Sequence, residues 1–164
     1  ICNALAQWIP SLDNVRTIST YAALDTEVNL LPLQDRLQEE DYQFAYPRVA
    51  GDTLQFHLVS DPVELRPGSY GVSEPDPGLH PAANPGQLDL CLCPGLSFTP
   101  EGIRLGRGRA YYDSVLSLLP SSTFRIGIGF ELQVEDWLPC EAHDGLMSHL
   151  GTEAGIRPTQ EASS

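Results

Sequence analysis

The 164-residue sequence predicts a three-layer α/β/α fold, a single domain around a mostly parallel sheet with a small antiparallel piece. Three observations point there. Strand-like and helix-like segments alternate along the chain, the order that builds a parallel sheet with helices on its faces. The run LDLCLCPG is largely apolar, as a strand covered on both faces is. DTLQFHLV alternates instead, with Leu54, Phe56 and Leu58 two residues apart, the pattern of a half-buried antiparallel strand.

Residues 1–9, ICNALAQWI, carry the end of an amphipathic helix closed by Pro10. VRTISTYA, Val15 to Ala22, is rich in β-branched residues and reads as the first strand. After the polar corner LDTE, the segment VNLLPLQDRLQEE spaces Leu30, Leu33 and Leu37 at helical intervals and gathers its acids on the other, solvated face. YQFAYPRV is a second strand, ended by Pro47, and Asp52 to Val59 is the antiparallel piece. From Asp61 to Gln87 the chain holds six of its fourteen prolines and four glycines, which predicts an ordered but irregular crossing loop. LDLCLCPG follows as a strand, YYDSVLSLLP as a helix stopping at Pro120, FRIGIGF as a strand and LMSHLGTEAGI as the last element. The domain is expected to span residues 1–156, with 157–164 a frayed polar tail.

Charge narrows the function classes. A net charge of −13 repels nucleic acid and anionic membrane surfaces, so neither is an expected partner. No apolar run approaches the roughly 20 residues needed to cross a bilayer. The chain starts at Ile1 with neither a basic n-region nor a signal-type apolar block, so no export signal is read. Cys2, Cys91, Cys93 and Cys140 fit reduced thiols in a cytoplasmic protein, and a monomer is expected; the Cys91–Cys93 spacing puts both thiols on one strand face and is not that of a zinc knuckle. All nine basic residues are arginine, which excludes Schiff-base lysine chemistry and a P-loop lysine.

Ligands collect at the carboxyl ends of parallel strands. Glu27, the loop from Pro94 to Gly108 and the segment from Glu131 to Asp144 all follow predicted strands there. The stretch RLGRGRAYYD joins a strand-loop to a helix and concentrates Arg104, Arg107 and Arg109 around Gly106 and Gly108. Those are the parts of a phosphate cradle: forked donors, glycines that let backbone approach, and a helix start. The same residues also suit a structural turn with surface arginines. Asp113 fits a magnesium ligand or an acid stabilising the helix dipole. His143 beside Asp144 fits a site pair or local hydrogen bonding. Glu27 fits an acceptor for a heterocycle's N–H groups or a cap for the next helix.

The string PGLSFTPEGIRLGRGRAYYD, followed by IGFELQVEDWLPCEAHDGLMSHLGTEAGI, resembles the signature of the 5-formyltetrahydrofolate cyclo-ligase family. YAALDTEVNLLPL, YPRVAGDTLQFHLV and YGVSEP resemble its N-terminal half, so the likeness runs from about Ile1 to Ile156. It implies ATP- and Mg2+-dependent cyclisation of 5-formyltetrahydrofolate to 5,10-methenyltetrahydrofolate, with ADP and phosphate released; the alternative is a relative that binds folate or nucleotide without turnover. On this resemblance the ATP site comprises Arg104, Leu105, Gly106, Arg107, Gly108, Arg109, Ala110, Tyr111 and Tyr112, with Arg107, Tyr112 and Asp113 catalytic. Ala22, Glu27, Phe56, Arg107 and Tyr111 would meet the folate, and Asp113 and Asp144 would hold magnesium. Two features differ from the family pattern. Its members usually open with a helix carrying a lysine and an arginine, and this sequence is expected to start after that helix. They also have glycine where Ala110 stands; alanine costs on the order of 1 kcal/mol if φ is positive there, and matters only by crowding a ligand if φ is negative.

Overall fold

The computed structural model describes residues 1–37, 39–141 and 144–160. Helix α1 (Cys2–Trp8) runs into a 3-10 turn at Ile9–Ser11, where Pro10 occupies a position that needs no N–H donor. β1 (Thr17–Ser19), α2 (Leu31–Arg36), β2 (Gln43–Ala50) and β3 (Thr53–Leu58) follow. The proline-rich crossing contains a short ribbon, β4 (Arg66–Pro67) against β5 (Ser73–Glu74), then β6 (Ala82–Ala83). β7 (Leu90–Pro94), a hairpin of β8 (Ser97–Phe98) and β9 (Arg104–Leu105), α3 (Tyr111–Leu116) and β10 (Phe124–Ile128) lead to a terminal hairpin of β11 (His149–Thr152) and β12 (Gly155–Pro158).

These strands form a sheet in the order β12-β11-β10-β7-β1-β2-β3-β6. β2, β1, β7, β10 and β11 are mutually parallel, and the antiparallel pairings lie at the two edges, β2–β3–β6 at one and β11–β12 at the other. The expected mostly parallel sheet is therefore present, and β3 is the antiparallel piece expected from alternating Leu54 and Phe56.

Period-2 alternation sorts each central strand's side chains onto two cores. Leu90, Leu92, Ile18 and Ile126 face the side of α1 and α2, with Leu5 and Leu33. Cys91, Cys93, Ala45 and Leu150 face α3, with Val115 and Leu116. Ile18, Leu90, Leu92 and Ile126 are wholly excluded from solvent, each stabilising the fold by about 1.5–3 kcal/mol relative to exposure. The two thiols of β7 do share a face, with Sγ atoms 3.5 Å apart. Among the described residues no helix is long and apolar enough to cross a membrane.

Four local expectations need correction. Pro47 does not end β2, which continues to Ala50. The Ala45 carbonyl faces β1 and accepts from Thr20, so the Pro47 nitrogen, two residues on, faces the same side after β1 has stopped at Ser19. A missing donor there costs no ladder bond. α3 ends at Leu116, not at Pro120: Leu118 and Leu119 donate to carbonyls three residues back, tightening the last turn. α2 spans only Leu31–Arg36, without the flanking residues that share its periodicity. The last element is a hairpin rather than one segment, and it reaches into the expected tail, since Arg157 and Pro158 pair with Leu150 and His149.

Candidate active site

Strand order reverses at β1, which lies between β7 and β2. The chain leaves the carboxyl end of β1 for α2 on one face and that of β7 for α3 on the other, opening a crevice between the two exits. Residues 20–30 form one lip and residues 95–110 the other.

The β7 lip is braced by Arg104. Its side chain is 4% exposed; one terminal nitrogen donates to Asp113 Oδ1 at 2.8 Å, the other to the Pro94 carbonyl at 3.4 Å, and the guanidinium lies 5.4 Å from the Tyr112 ring centre. β9 thus turns its arginine inward and its leucine outward, Leu105 being 38% exposed. Arg104 ties the loop to the first turn of α3 and does not stand open to the crevice.

Beyond Leu105 the loop opens. Gly106 lies against the Arg104 guanidinium, and Gly108, at φ +82°, has open space where a Cβ would stand. Ala110, the residue before α3, has φ 51° and ψ 16°. The backbone there is left-handed, so of the two alternatives for Ala110 the positive-φ one applies, at a cost of about 1–2 kcal/mol relative to glycine.

Arg107 crosses the crevice. It donates to Glu27 Oε1 at 3.3 Å and Thr26 Oγ1 at 3.4 Å, while Glu27 Oε2 accepts from the Leu24 N–H at 2.9 Å. Glu27 therefore does not cap α2, where Asn29 instead accepts from Leu31. Beside it a cavity of about 440 Å3 is lined by Ala22, Leu24, Glu27, Asn29, Tyr46 and Leu65 among others. Its walls are mainly apolar, with the carboxylates of Asp25 and Glu27 among the lining. Phe56, expected as a wall, is 1% exposed and packs below the sheet with Val115 and Leu116.

Arg109 and Tyr111 meet a residue that sequence reasoning missed. The Arg109 guanidinium stacks 4.1 Å from the centre of the Tyr70 ring, and the Tyr70 and Tyr111 hydroxyls are 3.5 Å apart. Tyr70 itself is at φ 58° within the proline-rich crossing. Its signal was its place at the head of YGVSEP, a stretch that resembles the family but assigns the tyrosine no role. Tyr112 points the other way: its hydroxyl is buried without a partner among the described residues, and burial pushes its pKa well above the usual phenol value.

Asp144 Oδ2 accepts from the Glu141 N–H at 2.8 Å, and Gly145 packs so closely on Leu116 that a Cβ would lie 2.5 Å from it. That contact sets Gly145 against α3 at Leu116, three residues along from Asp113. His143 lies outside the described residues. Among the described residues no group of three or more metal-binding side chains occurs. Among the described residues Asp113 Oδ2 has no hydrogen bond, whereas the Asp144 carboxylate also meets the Cys140 thiol; carboxylates with such spare acceptor capacity fit an ion that takes one or two protein carboxylates and its other ligands from phosphates and water. They do not fit an all-protein cage.

The model of the 5-formyltetrahydrofolate cyclo-ligase family matches residues 3–153. This chain belongs to that family. A 5-formyltetrahydrofolate cyclo-ligase from Mycolicibacterium smegmatis is 30% identical over 155 residues, covering 91% of this chain and 80% of that protein. One from Mus musculus is 27% identical over 142 residues, covering 80% and 70%. The NMR structure of Aquifex aeolicus 5,10-methenyltetrahydrofolate synthetase superimposes with a TM-score of 0.79 at 28% identity, covering 99% of this chain and 83% of that one. The crevice bounded by the arginine loop, Glu27 and α3 lies within the residues that the family model matches.

Proposed function

We propose that this chain is an ATP- and Mg2+-dependent 5-formyltetrahydrofolate cyclo-ligase. One observation carries the reading beyond family membership: Arg107 of the arginine loop touches Glu27 at the mouth of the apolar cavity. A phosphate group held by the loop and a heterocycle held by the cavity would meet there. Glu27 would accept from the pterin's amino and imino N–H groups, with Ala22 and Tyr46 along the ring, while Arg107 and Arg109 would take phosphate oxygens. Arg104 would support the loop through Asp113.

The reaction needs positioning and charge stabilisation more than covalent help from the protein. The formyl oxygen attacks the γ-phosphorus and the bond to the β–γ bridging oxygen breaks, releasing ADP. The neighbouring N10 lone pair then attacks the formyl carbon, the phosphorylated oxygen leaves as phosphate, and N10 loses its proton. Asp113 and Asp144 would hold magnesium, which when bound would neutralise charge on the nucleotide's phosphates. The half-exposed Arg107 would follow the transferring group, and Tyr70 and Tyr111, whose hydroxyls are 3.5 Å apart beside the loop, would limit water there.

The test is growth of the methenyl product's near-ultraviolet absorbance when ATP, Mg2+ and 5-formyltetrahydrofolate are mixed with the protein. Growth that stops without ATP supports the proposal. Binding of both substrates with no product overturns it in favour of the non-catalytic alternative.

A further inference from the structure

His80 stands in the proline-rich crossing just beyond the β4–β5 ribbon, and its side chain is buried. We infer that His80 is a positioning residue for the site: its ring staples together the two ends of the ribbon's base and so holds Tyr70 against the arginine loop, an inference that rests on the proposed function.

The ribbon needs support from outside itself. It pairs Arg66 with Glu74 and Pro67 with Ser73, and Pro75 follows at once, so neither Pro67 nor the next position brings an N–H. A hairpin of that size is marginal in water. Yet it connects both halves of the site. Val63 and Leu65, at one end of its base, and Ser73 line the cavity beside Glu27. Tyr70, at its tip, stacks on Arg109 and meets Tyr111. Glu74 fastens the tip side, its Oε1 accepting from Ser69 at 3.1 Å and from Val49 on β2 at 3.3 Å.

The imidazole fastens the base. Its Nε2 lies 3.2 Å from Oε2 of Glu64, in the turn that enters β4, and its Nδ1 lies 3.1 Å from both the nitrogen and the carbonyl oxygen of Asp76, just after β5. The carboxylate takes the Nε2–H, which leaves Nδ1 of a neutral ring to accept from the Asp76 N–H. Carrying on the register that pairs Arg66 with Glu74 sets Glu64 opposite Asp76, so the ring spans the place where the proline-interrupted ladder has stopped. The main chain anchors this staple to the main sheet. The His80 N–H donates to the Asp76 carbonyl at 2.9 Å, and the His80 carbonyl accepts from His57 Nδ1 on β3 at 2.8 Å. Leu58 of β3 donates to the next carbonyl, that of Pro81, at 2.8 Å. With the base loose, ligand binding would have to order the ribbon, a cost shared by bound substrate and transition state, which raises KM and leaves kcat unchanged.

The experiment cuts the staple at its solvent end. The Glu64 side chain is 54% exposed, so Glu64→Leu leaves the core intact where His80→Ala might not, and Glu64→Gln keeps an acceptor for the Nε2–H. Glu64→Leu should raise the KM for 5-formyltetrahydrofolate about fivefold, the scale of one hydrogen bond, with kcat within about twofold of the unmodified protein. Glu64→Gln should keep the original KM. Hydrogen exchange followed by mass spectrometry on the ligand-free protein should be faster in Glu64→Leu across residues 66–74 and unchanged in β1 and β7. That readout needs no turnover: absence of product from the unmodified protein overturns the proposed function, while ribbon exchange still judges the staple. Unchanged exchange in the ribbon overturns the inference. So does faster exchange at an unchanged KM, which would make His80 a brace without influence on the site, or a Glu64→Gln variant that behaves as Glu64→Leu does.

Discussion

Arg107 and Glu27 are 80 positions apart in the chain and 3.3 Å apart in space, and their contact spans the point where strand order reverses. It joins a loop rich in phosphate-type donors to a cavity suited to an apolar ring. The Glu27 side chain is 14% exposed and that of Arg107 51%, so the carboxylate is the fixed partner and the arginine the movable one.

Glu27→Gln tests that asymmetry. Glutamine keeps the shape and one acceptor but removes the charge that faces a ring's N–H groups. The apparent KM for reduced folate should rise about tenfold, the loss of roughly one charge-assisted hydrogen bond. The KM for ATP should change less, since the arginine loop is built separately by Arg104. The steady-state ratio of the two effects is the measurement, and equal effects on both substrates would remove Glu27 from the ring site.

Ala110 supplies a stability prediction. At φ 51° its methyl is strained by about 1–2 kcal/mol, whereas glycine is unstrained but makes the unfolded chain more flexible by up to about 1 kcal/mol. Ala110→Gly should therefore stabilise by about 0.5–1 kcal/mol, read as a higher urea midpoint. Ala110→Val should lower it. A lower midpoint for the glycine variant would contradict the left-handed conformation.

Core sidedness was legible because burial on a strand is a local period of two: Leu90 and Leu92 separate from Cys91 and Cys93 in the sequence as they do in the sheet. Strand ends were not, since Pro47 is tolerated only because another strand stops at Ser19. The three arginines of the motif were equivalent in sequence and are not in space. Arg104 is turned inward by the β8–β9 hairpin, Arg107 reaches a lip 80 residues away, and Arg109 stacks on Tyr70. Each fate depends on a partner distant in sequence, which periodicity cannot report. Phe56 was read correctly as an inward strand residue, but which core it entered depended on where α3 packed.

Glu131 gives a pH dependence. Its carboxylate accepts from both terminal nitrogens of Arg157, at 2.9 and 3.0 Å, and from the Thr152 hydroxyl at 2.6 Å, clasping the terminal hairpin to the end of β10. Those hydrogen bonds, with Arg157 first, hold its pKa below the usual range. A depressed folded pKa means the stabilisation is complete above the unfolded value, roughly 4.3, and is lost as pH falls through the lower folded value. The pair is exposed to solvent, so its worth is under about 1 kcal/mol. Arg157→Gln should flatten the stability curve in that acidic window and leave its slope near neutrality unchanged; an unaltered acid limb in urea titrations would show that the clasp contributes nothing.

Asp113 is the residue whose expected role the structure changes most. As a first-turn acid it offered magnesium ligation or a dipole interaction, yet its Oδ1 lies 2.8 Å from a guanidinium that is almost wholly buried. Asp113→Asn leaves that charge without its partner, and Arg104 Nε is already without an acceptor among the described residues. A loss of about 2–3 kcal/mol is expected, within the range for breaking a charged hydrogen bond in a largely buried pair. Arg104→Met with Asp113→Asn removes the buried charge and should recover part of that loss, because the cost lies in the unpaired guanidinium and not in the missing bond. Turnover should not return with it if Asp113 also holds magnesium. Urea unfolding of the single and double variants, set beside their Mg2+-dependent rates, separates the two roles: stability and rate recovering together would make Asp113 a purely structural brace, whereas stability recovering alone leaves its free oxygen to the metal.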